Sequence, residues 1–300
     1  LNFRDLLTVN GIYGPQYKLP LIPLSDGCGV IEAVGAGVTK FKTGDRVATL
    51  FFSNWPGGKP TREALMTSLG GPWDGCWREA MILPETGVAH APAHLSDAEV
   101  ASLPCAALTA WRALAVEGHL QAGETVVVQG TGGVSVFALQ FAKAFGAEVI
   151  VTSSSDEKLE RVRKLGADHL VNYKTHTEWS KQVREITGGR GADHVIEVGG
   201  AGTLSESLKS IAIGGHVSII GVLSGAAQNL MIPALIGSNS KVQGISVGNG
   251  QQFDAMARAI SANKIKPVIS HTYRFAEAQE ALGAMASQSH FGKIAIDLTA

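Results

Sequence analysis

The pattern of hydrophobic and polar positions changes near Ser96. Before it, short apolar runs at 29–34 and 46–52 are separated by Gly- and Pro-rich stretches. This predicts short strands joined by turns, with a short helix at 65–69. After Ser96, apolar runs of strand length alternate with amphipathic stretches. Ser96 followed by Glu99 has the spacing of a capping box and predicts the start of a helix.

The alternation after Ser96 predicts strands at 126–129, 148–152, 169–171, 194–198, 216–220 and 242–247. The amphipathic stretches between them predict helices at 137–145, 157–165, 178–187 and 203–212. Apolar strands that alternate with helices are typical of a parallel sheet covered on both faces, which is an α/β fold. A helix at 253–263 and a strand at 293–298 are predicted outside this alternation.

Composition and charge narrow the function classes. The 300 residues are 45% hydrophobic and 17% charged, which suits two domains with sizeable cores. A net charge of −1 argues against nucleic acid and anionic membrane surfaces as partners. No apolar run reaches the roughly 18 residues of a membrane-spanning helix. Three cysteines without a C-x-x-C pair fit a reducing compartment, so we expect a cytoplasmic protein. The expected partner is a small-molecule substrate.

A glycine turn follows the predicted strand 126–129 and precedes a predicted helix. Residues 130–135 read GTGGVS and fit the G-x-G-x-x-G/A pattern of dinucleotide-binding turns, with Ser135 in the third small position. Such a turn lets the backbone approach a pyrophosphate, which then lies at a helix N-terminus. We therefore expect Gly130, Thr131, Gly132, Gly133 and Val134 to contact a dinucleotide, although a purely structural glycine turn is the alternative.

The end of the next predicted strand indicates which dinucleotide binds. NAD enzymes usually carry Asp or Glu there, bonded to the ribose 2′-hydroxyl, whereas this chain has Ser153, Ser154 and Ser155. Hydroxyl donors and the nearby Lys158 suit a 2′-phosphate, so NADP(H) is the predicted cofactor, with Tyr173 near its adenine end. The alternative is that Ser155 only caps the following helix and that Lys158 is solvated.

Further cofactor contacts are predicted from topology, because ligands of parallel sheets bind at the carboxyl ends of the strands. The loops after the later strands supply the candidates Gly199, Gly221, Val222, Leu223, Val247, Gly248 and Asn249. These residues otherwise form ordinary turns.

Several segments together resemble the medium-chain dehydrogenase/reductases, closest to their zinc-free quinone-reductase-like and alcohol dehydrogenase-like branch. They are LNFRDLL at 1–7, PLSDGCGVIEAVGAGVTKFKTGDRV at 23–47, LPCAALTAW at 103–111 and the cofactor unit. The resemblance implies a mainly-β GroES-like catalytic domain from 1–104 and the returning segment 250–300, with a doubly wound Rossmann domain at 105–249 inserted. It also implies that the first strands of the catalytic domain precede Leu1, and a homodimer formed through the last Rossmann strand.

The resemblance also bears on metal binding. Zinc-dependent members place a cysteine where this chain has Asn2 and Gly-His-Glu where it has residues 24–26, Leu-Ser-Asp; Cys105 matches their third ligand. Their cysteine-rich structural-zinc lobe corresponds to 53–75, which has no cysteine. Because catalytic zinc needs three firm ligands, no zinc is expected, and Cys105 is expected to be a buried small residue rather than a reactive thiol.

Without a Lewis acid, hydride transfer to a quinone or an α,β-unsaturated carbonyl compound is favoured, since hydrogen-bond donors can stabilise the resulting oxyanion. The candidate groups are Asn2, Asp5, Tyr13 in GIYGP, and Lys293 in a family-typical Gly-Lys. Each has a structural alternative: a turn residue, a helix-start acid, a packed ring and a solvated lysine. The alternative functions are a zinc-containing, NADP-dependent alcohol dehydrogenase or carbonyl reductase, and a non-catalytic NADPH-binding sensor or structural protein.

Overall fold

The computed structural model describes residues 1–13, 17–225 and 232–299. The chain divides into two compact units. The first unit consists of Leu1–Leu108 and Val247–Ala300, and the second consists of Thr109–Ser246. The boundaries expected from the sequence, 104/105 and 249/250, lie within a few residues of these divisions. No helix among the described residues is long and apolar enough to cross a membrane.

The first unit begins with short elements. They are α1 (Phe3–Val9), β1 (Cys28–Val30), β2 (Arg46–Thr49), α2 (Arg62–Leu65), β3 (Val88–His90) and α3 (Asp97–Ala101). The strands form an antiparallel sheet in the order β1-β2-β3, in which Val47 pairs with His90. The capping box predicted at α3 is confirmed, because the Glu99 carboxylate accepts from the Ser96 N–H at 2.7 Å and the Ser96 hydroxyl accepts from the Glu99 N–H at 3.4 Å.

The second unit is reached through α4 (Leu108–Trp111), which has a π-helical segment on each side, Leu103–Ala107 and Arg112–Glu117. The remaining elements of this unit alternate between strand and helix. They are β4 (Thr125–Gln129), α5 (Gly133–Ala144), β5 (Glu148–Ser153), α6 (Asp156–Lys164), β6 (His169–Asn172), α7 (Trp179–Ile186), β7 (Ala192–Glu197), α8 (Leu204–Ser210), β8 (Ile211–Ile219), α9 (Ile232–Ser238) and β9 (Lys241–Gly244).

The strands of the second unit form one parallel sheet in the order β6-β5-β4-β7-β8-β9. This is the 3-2-1-4-5-6 order of a doubly wound Rossmann sheet, so the predicted α/β fold is confirmed. Its central strand β4 is buried throughout, and one core cluster includes Val127, Ile150, Val195, Val217 and Trp179. The strand order reverses between β4 and β7. The glycine turn that follows β4 therefore lies at this topological switch point.

The chain then returns to the first unit with α10 (Gly250–Ala262), β10 (Ile269–Arg274), α11 (Ala278–Ser287) and β11 (Lys293–Asp297). Strands β10 and β11 pair in parallel, with Ile269 opposite Lys293. Helix α11 packs against β11 through Ala281, Met285 and Ile294, and Leu1 and Leu6 pack on the same cluster. The start of α1 and the start of β11 therefore lie together.

Several predicted bounds are wrong. The predicted helix 203–212 ends at Ser210, because Ile211 is buried as the first residue of β8, where it pairs with Ala192. The last Rossmann strand ends at Gly244 rather than at 247, and β1 and β2 are shorter than predicted. The predicted helix at 65–69 lies at Arg62–Leu65, since the Thr61 hydroxyl accepts from the Ala64 N–H and caps it there.

Candidate functional site

The glycine turn has the strand–turn–helix context that the sequence predicts. Gly130 adopts a left-handed conformation with φ of 71°, and its N–H donates to Thr152 O at 2.7 Å. Helix α5 begins at Gly133, and a Cβ added to Gly132 would meet no atom within 4 Å, so its side of the turn is open. The Ser135 hydroxyl donates to Gln129 O at 2.6 Å, which explains serine in the third small position. The turn therefore presents a helix N-terminus that can hold a pyrophosphate.

The three serines after β5 differ in their engagement. Ser155 is the N-cap of α6, and its hydroxyl accepts from the Lys158 N–H at 3.3 Å, so the capping role considered from sequence is present. The Ser153 hydroxyl is buried and accepts from the Ser155 N–H at 3.3 Å. Ser154 is half-buried, and within 1–13, 17–225 and 232–299 its hydroxyl has no hydrogen-bond partner. Ser154 is thus the hydroxyl of this run that remains available.

Positive charge lies close to the serine run. Desolvation lowers the pKa of the Lys158 ammonium, and the nearby Arg161 guanidinium lowers it further. Tyr173 is exposed at 41%, and its N–H donates to Ser153 O at 3.1 Å, so it lies beside the same strand end. The Asp156 carboxylate accepts a hydrogen bond from the side-chain amide of Asn172 at 2.7 Å. Lys158 with Arg161 beside it, the available Ser154 hydroxyl and the exposed Tyr173 therefore follow the ends of neighbouring strands β5 and β6.

The loop after β7 is organised by Glu197, which sequence reasoning missed. Its side chain is fully buried, and its two oxygens accept five hydrogen bonds. The donors are Gly199 N (2.8 Å), Gly200 N (2.9 Å), Thr203 Oγ1 (2.6 Å), Gln129 Nε2 (2.8 Å) and Ser207 Oγ (2.5 Å). The Gly199 N–H is therefore already used within the protein, and any contact of Gly199 with a cofactor involves other atoms.

The remaining strand-end candidates fall in two places. Gly221 lies against β7, where an added Cβ would come within 2.2 Å of Val198 O, and the neighbouring Val222 and Leu223 are exposed. Val247, Gly248 and Asn249 belong to the first unit instead. Asn249 caps α10 by accepting from the Gln252 N–H at 2.9 Å, and its amide donates to Gly58 O at 3.2 Å. The assumption that these residues directly follow the last Rossmann strand is wrong, because β9 ends at Gly244.

In the first unit, the structure brings Asn2 and Lys293 together. Lys293 is 3% exposed at the start of β11, and its ammonium donates to Asn2 Oδ1 at 2.6 Å and to Leu1 O at 2.5 Å. The Asn2 amide nitrogen donates to the fully buried Ser25 hydroxyl at 3.3 Å. Ser25 donates to Asp26 Oδ1 at 2.7 Å, and the other Asp26 oxygen accepts from the Cys105 N–H at 3.2 Å. We use the name Lys293–Asn2 network for five of these residues, namely Lys293, Asn2, Ser25, Asp26 and Cys105.

Asp5 and Tyr13 lie beside this network. The Asp5 carboxylate accepts from the Asn2 backbone N–H at 2.8 Å, so it is the helix-start acid of α1, and it also contacts the Arg4 guanidinium at 3.2 Å. Arg4 lies over the Tyr13 ring at 5.9 Å from its centroid, and Tyr17 packs on the same ring. Burial raises the pKa of Tyr13. At neutral pH the phenol is therefore protonated and able to donate.

The residues at the positions of the zinc ligands do not fit zinc. Asn2 offers a neutral amide whose oxygen already accepts from a lysine ammonium, and Ser25 is committed to Asp26. Burial and the Asp26 charge raise the pKa of the Cys105 thiol, so it is not a thiolate at neutral pH. A second cation beside the Lys293 ammonium would also be repelled. In the described ranges, no group of three or more His, Cys, Asp or Glu side chains is placed to hold a metal ion.

Two protein-family models match the chain. Residues 1–93 match the alcohol dehydrogenase GroES-like domain, and residues 133–262 match the zinc-binding dehydrogenase domain. The two matches fall on different parts of the chain, the first on the N-terminal segment and the second mainly on the Rossmann sheet.

Relatives and solved structures extend over nearly the whole chain. A zinc-type alcohol dehydrogenase-like protein of Schizosaccharomyces pombe is 44% identical, over 99% of this chain and 88% of its own length. An acryloyl-coenzyme A reductase of Sulfurisphaera tokodaii is 29% identical, over 99% and 89%. A structure from Sinorhizobium meliloti 1021, assigned provisionally as an alcohol dehydrogenase, is 46% identical with a TM-score of 0.93, over 99% and 88%. A mycobacterial protein solved with NADPH is 27% identical with a TM-score of 0.82, over 99% and 87%.

Proposed function

Because the chain belongs to the medium-chain dehydrogenase/reductase superfamily of oxidoreductases, we propose that it is a zinc-independent, NADPH-dependent reductase of quinones or α,β-unsaturated carbonyl compounds. The observation that carries the proposal is the buried Lys293 ammonium, bonded to Asn2 at 2.6 Å where a zinc-dependent relative would bind its metal. A conjugated acceptor needs less polarisation than a simple carbonyl, so hydrogen-bond donors suffice to activate it.

The second unit supplies the groups proposed to bind the cofactor. The glycine turn after β4 would hold the pyrophosphate, and Ser154 with Lys158 would hold the 2′-phosphate, with Tyr173 beside them. NADPH supplies the hydride when it is bound. The NADPH-bound structural relative supports this choice of cofactor.

The first unit supplies the groups proposed to act on the substrate. Asn2 contacts the substrate, Asp5 holds the backbone N–H of Asn2, Lys293 is bonded to the Asn2 side chain, and Tyr13 supplies a proton. An unsaturated thioester is the acceptor named for the Sulfurisphaera tokodaii relative, which supports the choice of a conjugated carbonyl compound.

A stopped-flow screen tests the proposal. NADPH and NADH oxidation would be followed against quinones, enones, aldehydes and ketones, with metal content measured on the same preparation. We expect NADPH oxidation by quinones or enones in preparations without stoichiometric zinc, unaffected by a chelator.

The names of the relatives favour an alcohol dehydrogenase as the second candidate. That function predicts one tightly bound zinc for each chain and activity that a chelator abolishes. Tight NADPH binding without turnover of any compound in the screen would instead indicate a sensor or structural role.

Two further properties are proposed with this function. We propose a homodimer formed through β9, which is one of the two edge strands of the sheet among the described residues, β6 being the other. Light scattering at micromolar concentration would give a dimer mass, and a monomer mass would contradict the proposal. We also propose a cytoplasmic location, which is supported by Cys28, Cys76 and Cys105 being reduced cysteines. Fractionation of source cells with an antibody tests it.

A further inference from the structure

The hydrogen bonds of the Lys293–Asn2 network run in one direction. An ammonium group can only donate, so the Asn2 atom that faces Lys293 at 2.6 Å must be the amide oxygen. A carboxylate can only accept, so the Ser25 hydroxyl proton points to Asp26 at 2.7 Å and leaves a Ser25 lone pair for the Asn2 amide nitrogen. The two charged ends therefore fix the orientation of the Asn2 amide, because turning it over would place N–H against an ammonium.

This orientation leaves one strong donor unused. The amide nitrogen of Asn2 carries two hydrogens, of which one goes to Ser25; the other has no partner within 1–13, 17–225 and 232–299. The backbone N–H of Asn2 is already bonded to Asp5. The Lys293 charge at the amide oxygen polarises the amide and strengthens its N–H groups as donors, because hydrogen bonds in a chain reinforce one another. The site is buried, so water screens this effect little.

We propose that the second amide hydrogen of Asn2 stabilises the oxyanion formed during hydride transfer, and that Lys293 and Ser25 are the positioning residues that hold Asn2 as a donor. The inference rests on the proposed function and deepens it. Hydride addition to the β-carbon of an enone moves the electron pair of the C=C bond, so that a negative charge develops on the carbonyl oxygen. A proton added at the α-carbon completes the reduction, in which the substrate gains the two electrons that NADPH loses.

A phenol probe tests the donor without relying on turnover. The holoenzyme loaded with NADP⁺ would be titrated with 4-nitrophenol, whose phenolate resembles the oxyanion and absorbs visible light. We expect the wild-type protein to lower the pKa of the bound phenol, and the nearly isosteric Asn2→Asp to raise it by at least about one unit, a tenfold change. Lys293→Met should lose part of the effect and Lys293→Arg should restore it, since arginine keeps the charge.

A kinetic measurement accompanies the probe. In single turnovers with NADPH and its 4-deuterated form, Asn2→Asp should slow hydride transfer about 10²–10³-fold, with little change in NADPH affinity. Lys209→Met is the matched control, because Lys209 is a surface lysine that pairs with Glu206 on α8. This control should change neither the pKa of the bound phenol nor the rate of hydride transfer.

The two measurements separate the possible failures. An equal phenol pKa in wild type and Asn2→Asp overturns the donor assignment, as does a wild-type protein that binds phenolate no better than phenol. A lowered pKa of the bound phenol without reduction of any quinone or enone overturns the proposed function and leaves the donor assignment in place. Reduction that is insensitive to Asn2→Asp preserves the function and removes Asn2 from it.

Discussion

Each unit buries a charged group, the Glu197 carboxylate in the second and the Lys293 ammonium in the first, and their surroundings differ in what remains unsatisfied. Glu197 accepts five hydrogen bonds from loop amides and side chains that lie within its own unit, so its charge is fully engaged. In the Lys293–Asn2 network, by contrast, one hydrogen of the Asn2 amide has no partner in the part of the chain that the structure describes. The fully bonded Glu197 carboxylate organises a loop, whereas the Lys293 ammonium orients an amide whose remaining hydrogen can act on a ligand.

The largest expected effect on stability comes from removing the Glu197 carboxylate. Glu197→Ala removes the acceptor of five donors, of which Gly200 N and Ser207 Oγ have no second acceptor among the described residues. Each unsatisfied group costs about 1–3 kcal/mol, and the other three bonds are weakened as well. The free energy of unfolding should fall by at least about 3 kcal/mol, measured by urea denaturation. Glu178→Ala removes an exposed ion pair with Lys181 and should cost less than about 1 kcal/mol. Equal losses in the two variants would contradict the structural role of Glu197.

His216 is less satisfied than either of these groups, because it is 5% exposed and neither of its ring nitrogens has a hydrogen-bond partner among the described residues. The pKa of His216 is lowered from 6.5 to about 4, mainly by desolvation. The nearby Lys241, His194 and His119 lower it further, whereas Glu117 raises it. The unfolded chain then binds more protons than the folded one between pH 4 and 6.5. The free energy of unfolding should fall by roughly 3 kcal/mol as the pH drops through that window.

His216→Leu tests this account. The variant should lose less stability than the wild type between pH 6.5 and pH 4, measured as melting temperature across the window. His271→Leu replaces an exposed histidine on β10 and is the control. An unchanged pH dependence in His216→Leu would show that another group titrates.

The serine run allows a smaller, more selective test. Ser153→Asp introduces the carboxylate that NAD enzymes carry at this strand end, which repels a 2′-phosphate. We expect the dissociation constant of NADPH to rise about tenfold, equivalent to about 1.4 kcal/mol, while that of NADH changes little. Ser289→Asp, at an exposed position in the first unit, is the control for added charge. Equal weakening of both cofactors would remove the role assigned to the run.

The smallest expected effect concerns Tyr13. Tyr13→Phe removes the candidate proton donor and keeps the ring against Arg4. Enone reduction requires protonation at carbon and should slow by up to about tenfold, whereas quinone reduction should change less. Tyr273→Phe, whose ring packs on His271, provides a matched control. Equal slowing of both substrate classes would contradict a proton donor to carbon, and no slowing of either would make Tyr13 a packing residue.

The features that sequence predicted well are those with a local signature. The strand before Gly130, the turn itself and the capping box at Ser96 depend on residues within a few positions of one another, and all three are confirmed. The missed features depend on distant residues. Lys293 meets Asn2 across 291 positions and Gln129 meets Glu197 across 68, so no spacing rule reveals either pair.

Other misses have the same origin. The π-helical turn that contains Cys105 reads in sequence as an ordinary helix, because one extra residue in a turn leaves no periodic signal over five positions. Strand β10 was missed because its burial pattern is mostly exposed, and it is stabilised by pairing with β11. The sequence predicts the end of β8 but not its start. The start depends on the pairing of Ile211 with Ala192 in β7, which no local pattern indicates.

The contact between Lys293 and Asn2 has a consequence for the order in which the chain becomes competent during synthesis. The Rossmann unit is one continuous segment, so all its strands have left the ribosome before Lys293 is translated. The first unit cannot close until β11 pairs with β10 and brings its lysine to α1. A nascent chain can therefore form its Rossmann unit before Lys293 is made, whereas the Lys293–Asn2 network forms only after β11 has been translated.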